Sequence, residues 1–252
     1  MLFMRFLPGI LKELTRHVPT VLFNSVDWSE LASELPQISK RMLQKEGYEK
    51  LWDHQKNLLS SLPIKLSLEK IKSPKVTHKK IAGDLVLTMY FSQLFSDEGL
   101  FLDLRSHHFH EEDSQLLWHP SLLWTKFDTH FRQGLLKVYE GFYLEEDEIY
   151  FEGLEELGLI KKSFTLSEKK ELGDLFRGHF GSALDKEMAF KLSHLQASMI
   201  KISDFFLTKK VQVSKDFLYL GIYLVTLYST LDEWGEEHMV KKIYLDVRAK
   251  FL

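Results

Sequence analysis

The clearest pattern in the chain is a run of apolar residues at steps of four and three between Lys186 and Phe206. This spacing places apolar side chains along one side of an α-helix that packs lengthwise on a neighbour. The apolar positions are Met188, Leu192, Leu195, Met199, Ile202 and Phe206. The segment Phe217–Leu231, apolar at nearly every position, predicts a central buried helix and is the natural partner of the first. It is shorter than the roughly 20 residues needed to cross a bilayer.

Helix start and stop signals divide the region between residues 128 and 180 into further helices. The segment Asp128–Tyr139 predicts a helix with an aspartate at its cap. A second helix is predicted over Glu145–Leu157, and Gly158 ends it. Thr165 and Glu168 have the T-x-x-E spacing of a capping box, which predicts a third helix to about residue 180.

The first 80 residues predict two helices and a basic linker. The helices span Asp27–Leu35 and Gln37–Leu62, and Pro36 and Pro63 end them. The following segment, Lys65–Lys80, contains six lysines and one glutamate, which is typical of a solvated linker or face. A phosphate-binding patch is the less favoured alternative, because the segment lacks the arginines and interleaved aromatic residues of such sites.

The stretch Ile81–Trp124 is the most distinctive part of the chain. It predicts an apolar helix that stops at Gly99, followed by two short extended runs joined by a polar, acidic turn. The predicted fold class is therefore mainly α, a helical domain with one short β-hairpin near residues 100–118. We expect a single domain over residues 1–252, with a separate N-terminal helical subdomain over residues 1–76 as the alternative.

Composition excludes several classes of function. The 252 residues carry a net charge of −3, so no overall attraction to nucleic acid is expected. The chain has no cysteine, which excludes disulfides, thiolate metal sites and cysteine nucleophiles and is compatible with the cytoplasm. In the N-terminal segment Met1–Leu14, Arg5 and Pro8 interrupt the apolar run, whereas a signal peptide has an unbroken apolar core. A segment packed on the domain is expected there, and an amphipathic helix that makes the protein membrane-peripheral is the alternative.

The histidines near the predicted hairpin are the strongest candidates for chemistry. In an extended strand His108 and His110 would project to the same face, followed by Glu112, and together could bind zinc or iron. In that case a carboxylate or a carbonyl should hold the second nitrogen of each imidazole, and Glu111, Glu112 and Asp113 are the nearest acids. The favoured alternative is a solvated turn, in which the histidines are exposed and unpaired.

No motif of a nucleotide, dinucleotide, hydrolase or zinc-protease site occurs in the chain. Di-iron helical bundles need Glu-x-x-His on two helices, and this pattern is also absent. No cofactor is therefore predicted.

The segment GLFLDLRSHHF, residues 99–109, follows a helix that ends in FSQLF. Together they resemble the catalytic-loop region of the ABC1/AarF/UbiB family of atypical kinase-like proteins. That family has a helix ending in a Q-I-F-like run, then G-F-F-H-A-D-P-H-P-G-N, a short strand turn and Asp-Phe-Gly. The likeness covers about Gly83 to Ile160 and implies a kinase C-lobe-like arrangement.

The resemblance fails at the residues that carry the family's chemistry. The histidine of the family motif falls on Leu102, its aspartate on Leu104 and its metal-binding asparagine on Phe109. The Asp-Phe-Gly position falls near residues 118–120, and the first 80 residues contain no recognisable nucleotide-binding lobe. Leucine cannot accept a proton, and leucine and phenylalanine cannot hold magnesium. The resemblance thus implies a degenerate relative without kinase activity.

Three functions follow as expectations. The first is a non-catalytic helical protein, a pseudokinase-like scaffold that binds a protein through exposed aromatics in LLWHPSLLW and VYEGFYLEEDE. The second is a metal-dependent enzyme that uses the His/Glu cluster at residues 107–119. The third is a peripheral membrane protein that binds through its N-terminal segment. No catalytic residue is assigned, and the candidates for ligand or partner contact are Asp103, Arg105, Trp118 and His119.

Overall fold

A computed structural model describes residues 45–181 and 186–252 of the chain. The described residues form eight α-helices: α1 Lys45–Leu58, α2 Lys79–Phe95, α3 Thr129–Tyr143, α4 Asp147–Glu156, α5 Leu166–Phe180, α6 Leu192–Thr208, α7 Lys215–Trp234 and α8 Val240–Arg248. They also form seven short strands: β1 Ile64–Leu66, β2 Leu100–Phe101, β3 Phe109–Glu112, β4 Gln115–Trp118, β5 Trp124–Thr125, β6 Met188–Ala189 and β7 Glu237–His238. The mainly helical fold class predicted from the sequence is confirmed.

Helix α7 lies at the centre of the fold and is buried almost all round, as its apolar sequence predicts. It packs on α6, where the rings of Phe206 and Phe217 meet edge to face with centroids 6.4 Å apart. It also packs on α2, where Tyr90 and Tyr223 stack with centroids 4.7 Å apart. Burial of these apolar faces supplies most of the driving force for folding.

The structure confirms the predicted helix ends at which the sequence contains a clear capping residue. The Asp128 carboxylate accepts from the backbone N–H of His130, which caps α3. Thr165 and Glu168 form the predicted capping box at the start of α5. Gly158 follows the end of α4 with φ of +72°, a left-handed conformation that favours glycine.

The predicted hairpin exists but is shorter than its predicted limits. Strands β3 and β4 pair antiparallel, and the turn residues Asp113 and Ser114 have φ of 48° and 62°. Two positive φ values are typical of the type I′ turn, whose twist suits a two-residue hairpin. Strand β1 pairs parallel with β4, so the sheet order is β1-β4-β3. Strand β2 lies outside this sheet and pairs with β5.

Two helix predictions needed correction. The helix predicted over 186–206 begins only at Leu192, because β6 pairs with β7 and holds the preceding residues extended. The helix predicted over 37–62 is described from residue 45 and ends at Leu58. Residues 37–44 lie outside the described residues, as do the predicted helix over 27–35 and the N-terminal segment 1–14.

The basic linker between β1 and α2 is largely exposed, as expected of a solvated segment. In the described part of the chain, no helix combines the length and the apolar character needed to cross a membrane.

Candidate functional site

The loop between β2 and the hairpin, residues 102–108, lies against α7. Three polar side chains of α7 bind it, spaced four and three residues apart so that they share one helix face: Thr226, Thr230 and Glu233. The Thr226 hydroxyl donates to the Leu102 carbonyl at 2.8 Å, and Thr230 donates to the Leu104 carbonyl at 2.6 Å. Ser106 in turn donates to the Glu233 carboxylate at 2.6 Å. The central helix therefore fixes the loop at every second residue.

Asp103 in this loop is fully buried, and its carboxylate has two charged or polar partners. Arg105 donates from Nε to Oδ1 at 2.8 Å and from Nη2 to Oδ2 at 2.7 Å. The His108 Nε2 lies 3.1 Å from Oδ2. Burial by itself raises the pKa of Asp103, but the hydrogen bonds from Arg105 and His108 outweigh it and hold the pKa well below its usual range. Asp103 is thus a buried, ionised carboxylate.

The imidazoles of His107 and His108 lie beside this carboxylate, and the ring of His119 lies near that of His108. The rings of His107 and His108 have centroids 4.2 Å apart, and those of His108 and His119 are 6.4 Å apart. His119 Nδ1 lies 2.8 Å from the Ser67 carbonyl, which can only accept a hydrogen bond. We therefore assign the proton of His119 to Nδ1. Asp103, His107 and His108 each offer a ligand atom, and these atoms lie within 4.8 Å of one another.

The structure places His110 and Glu112 in the hairpin, away from the contacts of His108. His108 closes a 3₁₀ turn, so the strand alternation expected from His108 to His110 does not apply. The His110 Nδ1 instead accepts from the backbone N–H of Lys75 at 3.1 Å. Binding of a metal by His108, His110 and Glu112 remains a prediction. The alternative, exposed and unpaired histidines, is wrong for His108 and His110, which both have hydrogen-bond partners.

The acid that orients His108 is Asp103, which is not one of the three acids expected from the sequence. Glu111 binds the linker: its carboxylate accepts from the backbone of Thr77 and His78 at 2.7 and 2.9 Å and contacts the His78 ring. The backbone hydrogen bond from His78 is the largest cause that lowers the pKa of Glu111 to about 2. Glu111 therefore ties the basic linker to the hairpin.

The aromatic segments expected to face a partner are mostly core. Trp118 has no exposed surface, so this candidate for partner contact is unavailable in the folded protein. Tyr139, Phe142 and Tyr143 of the second segment are likewise buried. Leu122, 55% exposed, is the large apolar side chain of the first segment that remains at the surface. Burial of the aromatic side chains is the usual outcome, because large aromatic rings contribute most to stability when they are removed from water.

A pocket of about 360 Å³ lies between the loop, the linker and the end of α7. Its lining includes Lys75, Lys79, His107, Glu233 and Trp234. Sequence reasoning missed the contribution of α7 to this region. The signal was present, because Thr226, Thr230 and Glu233 interrupt an apolar helix at helical spacing.

Comparison with known protein families and with curated proteins gives no match to this chain.

Proposed function

We propose that this chain is a non-catalytic helical protein, a pseudokinase-like scaffold that acts by binding a protein partner. The observation that carries the proposal is the burial of Leu102, Leu104 and Phe109, which have no exposed surface. These are the positions at which the ABC1/AarF/UbiB pattern has its histidine, aspartate and asparagine. Apolar side chains packed in a core can neither accept a proton nor coordinate magnesium.

The order of elements between α2 and α4 supports the kinase-like part of the proposal. A long helix is followed by a short strand, a loop, a two-stranded hairpin, the short strand β5 and two helices. The resemblance implies a helix, a loop, a short strand turn and C-lobe helices in the same order. Between residues 45 and 78, the described chain contains one helix and one three-residue strand. This is too little structure for a nucleotide-binding lobe in the described part of the chain.

Partner binding is supported by apolar side chains that remain exposed next to the hairpin. Ile81 at the start of α2 is 60% exposed and lines a groove with Leu85, Glu111 and Leu116. Leu68, two residues after the end of β1, is 71% exposed. Exposed apolar groups beside a rigid hairpin are suited to contact with a protein surface.

The proposal is tested by assays of phosphoryl transfer with the full chain, ATP and magnesium. ATP turnover and autophosphorylation should not exceed those of a blank without protein. The matched variant is Asp103→Asn, because Asp103 is the one carboxylate in the loop 102–108. Turnover by the wild type that Asp103→Asn abolishes would overturn the proposal.

A further inference from the structure

The loop 102–108 brings together groups that the scaffold proposal leaves unused. Asp103, His107 and His108 form a small cluster, in which one ligand atom from each residue lies within 4.8 Å of the other two. We propose that this cluster is a binding site for a divalent transition-metal ion of the zinc class. Imidazole and carboxylate are ligands that suit zinc and related ions, and thiolates are not required.

The cluster needs only a small movement to bind a metal. Ligand atoms of a tetrahedral site with bonds of roughly 2.0–2.2 Å are about 3.4 Å apart. The His108 Nε2 and the Asp103 Oδ2 are already 3.1 Å apart. The remaining approach must be made by His107, whose side chain is exposed and whose ligand atom already lies within 4.8 Å of the other two.

Binding would replace one hydrogen bond with two coordinate bonds. For His108 to ligate through Nε2, its ring proton moves from Nε2 to Nδ1 by exchange with solvent, so that the ring stays neutral. The freed Nε2 lone pair and a lone pair of Asp103 Oδ2 then coordinate the ion. Three protein ligands leave a coordination position for water or for a group from outside the chain. No oxidant or other reactant is required.

The surroundings of Asp103 have the form of a supporting shell. Arg105 holds Oδ1 through Nε at 2.8 Å and through its backbone N–H at 3.3 Å, and its Nη2 donates to one lone pair of Oδ2 at 2.7 Å. The carboxylate therefore keeps its orientation when the other lone pair of Oδ2 binds the ion. The hydroxyl of Thr230 fixes the Leu104 carbonyl between Asp103 and Arg105. The Arg105 charge opposes a cation, and this repulsion limits the affinity of the site.

This ligand set differs from the one expected from sequence. His108 belongs to both sets, but His110 is bound to Lys75 and is absent from the cluster. Variants of His107 and His110 therefore distinguish the two sites directly. The two histidines lie on either side of His108, so they form a matched pair of substitutions.

The test is a titration of the full chain, without a histidine tag, with Co²⁺ followed by visible absorption and with Zn²⁺ followed by calorimetry. We expect one ion per chain, and His107→Ala should weaken binding by about tenfold or more. His110→Ala should leave the affinity within about twofold of wild type. His108→Ala should also lose binding, and its unfolding midpoint checks that it remains folded.

The exposed position of His107 keeps the test decisive even if His108→Ala fails to fold. Absence of Co²⁺ and Zn²⁺ binding by the wild-type chain would overturn the proposal. An equal loss in His107→Ala and His110→Ala would also overturn it, as would full binding by His107→Ala. These results do not depend on nucleotide, so they are independent of the scaffold proposal.

Discussion

The anchoring of the loop by α7 can be tested with a nearly isosteric substitution, Thr230→Val. Thr230 is fully buried, and its hydroxyl donates to the Leu104 carbonyl at 2.6 Å. Valine keeps the shape of the side chain and has a similar helix propensity, so the main loss is this hydrogen bond. A buried carbonyl left without its donor costs about 1–3 kcal/mol. At about 2–4 °C per kcal/mol for a chain of this size, the melting temperature should fall by roughly 2–12 °C.

The assay is urea unfolding followed by far-UV circular dichroism, with the free energy of unfolding compared at constant m-value. Thr88→Val is the matched control. The Thr88 hydroxyl donates to the Asp84 carbonyl at 2.8 Å, one turn back in the same helix, where the backbone already supplies a donor. This control should change stability by less than about 0.5 kcal/mol. Equal effects of the two substitutions would show that the Thr230 hydroxyl does not hold the loop.

Three further outcomes follow from the core and from shifted pKa values. Leu195→Ala should cost about 2–5 kcal/mol in urea unfolding, because Leu195 is fully buried in α6; a loss below about 0.5 kcal/mol would place it at the surface. The pKa of His179 is lowered to about 4, first by burial and then by His194, so stability should fall as pH decreases from 6.5 towards that value. An NMR titration in which the His179 ring protonates near pH 6.5 would contradict this. The pKa of Glu111 is lowered to about 2, so its contribution to the free energy of unfolding should be complete above pH 4.5 and be lost as the pH falls towards 2. Glu111→Gln should reduce the pH dependence of stability in that range, and an unchanged acid transition would show that the linker contact adds nothing.

Local signals predicted most helices, because the residues that end a helix act on neighbours in sequence. Asp128 and the Thr165–Glu168 pair cap their helices through hydrogen bonds to residues no more than three positions away. The start of α6 could not be found in this way. Met188 fits the apolar pattern of the helix, but it lies in a strand because of its pairing with His238, fifty residues away in sequence.

The candidate site was predicted only in part for the same reason. Sequence reasoning identified His108 as a group suited to chemistry, but it assigned the orienting acid to the hairpin turn. The actual partner, Asp103, lies before the 3₁₀ turn, and its contact with His108 depends on how that turn folds the chain back. The role of Thr230 depends on the packing of α7 on the loop, which periodicity within one helix cannot reveal.

Helix α8 was not predicted, although its sequence contains a usable signal. Val240, Tyr244 and Val247 have the spacing of one helix face, and all three are buried. The helix has only nine residues, and lysines, an aspartate and an arginine occupy four of its other six positions. A short amphipathic segment of this kind is stable mainly through tertiary packing.

The central claim of the proposed function is that the loop 102–109 cannot hold a magnesium nucleotide, and it is tested most directly by the melting temperature of the full chain with and without millimolar ATP and magnesium. A nucleotide present at a hundred times its Kd would stabilise the fold by about 2.7 kcal/mol. For a chain of this size that corresponds to a rise of roughly 5–11 °C. Because Leu102, Leu104 and Phe109 are core residues, we expect ATP with magnesium to give the same melting temperature as magnesium alone. A rise of several degrees that requires both ATP and magnesium would contradict the account.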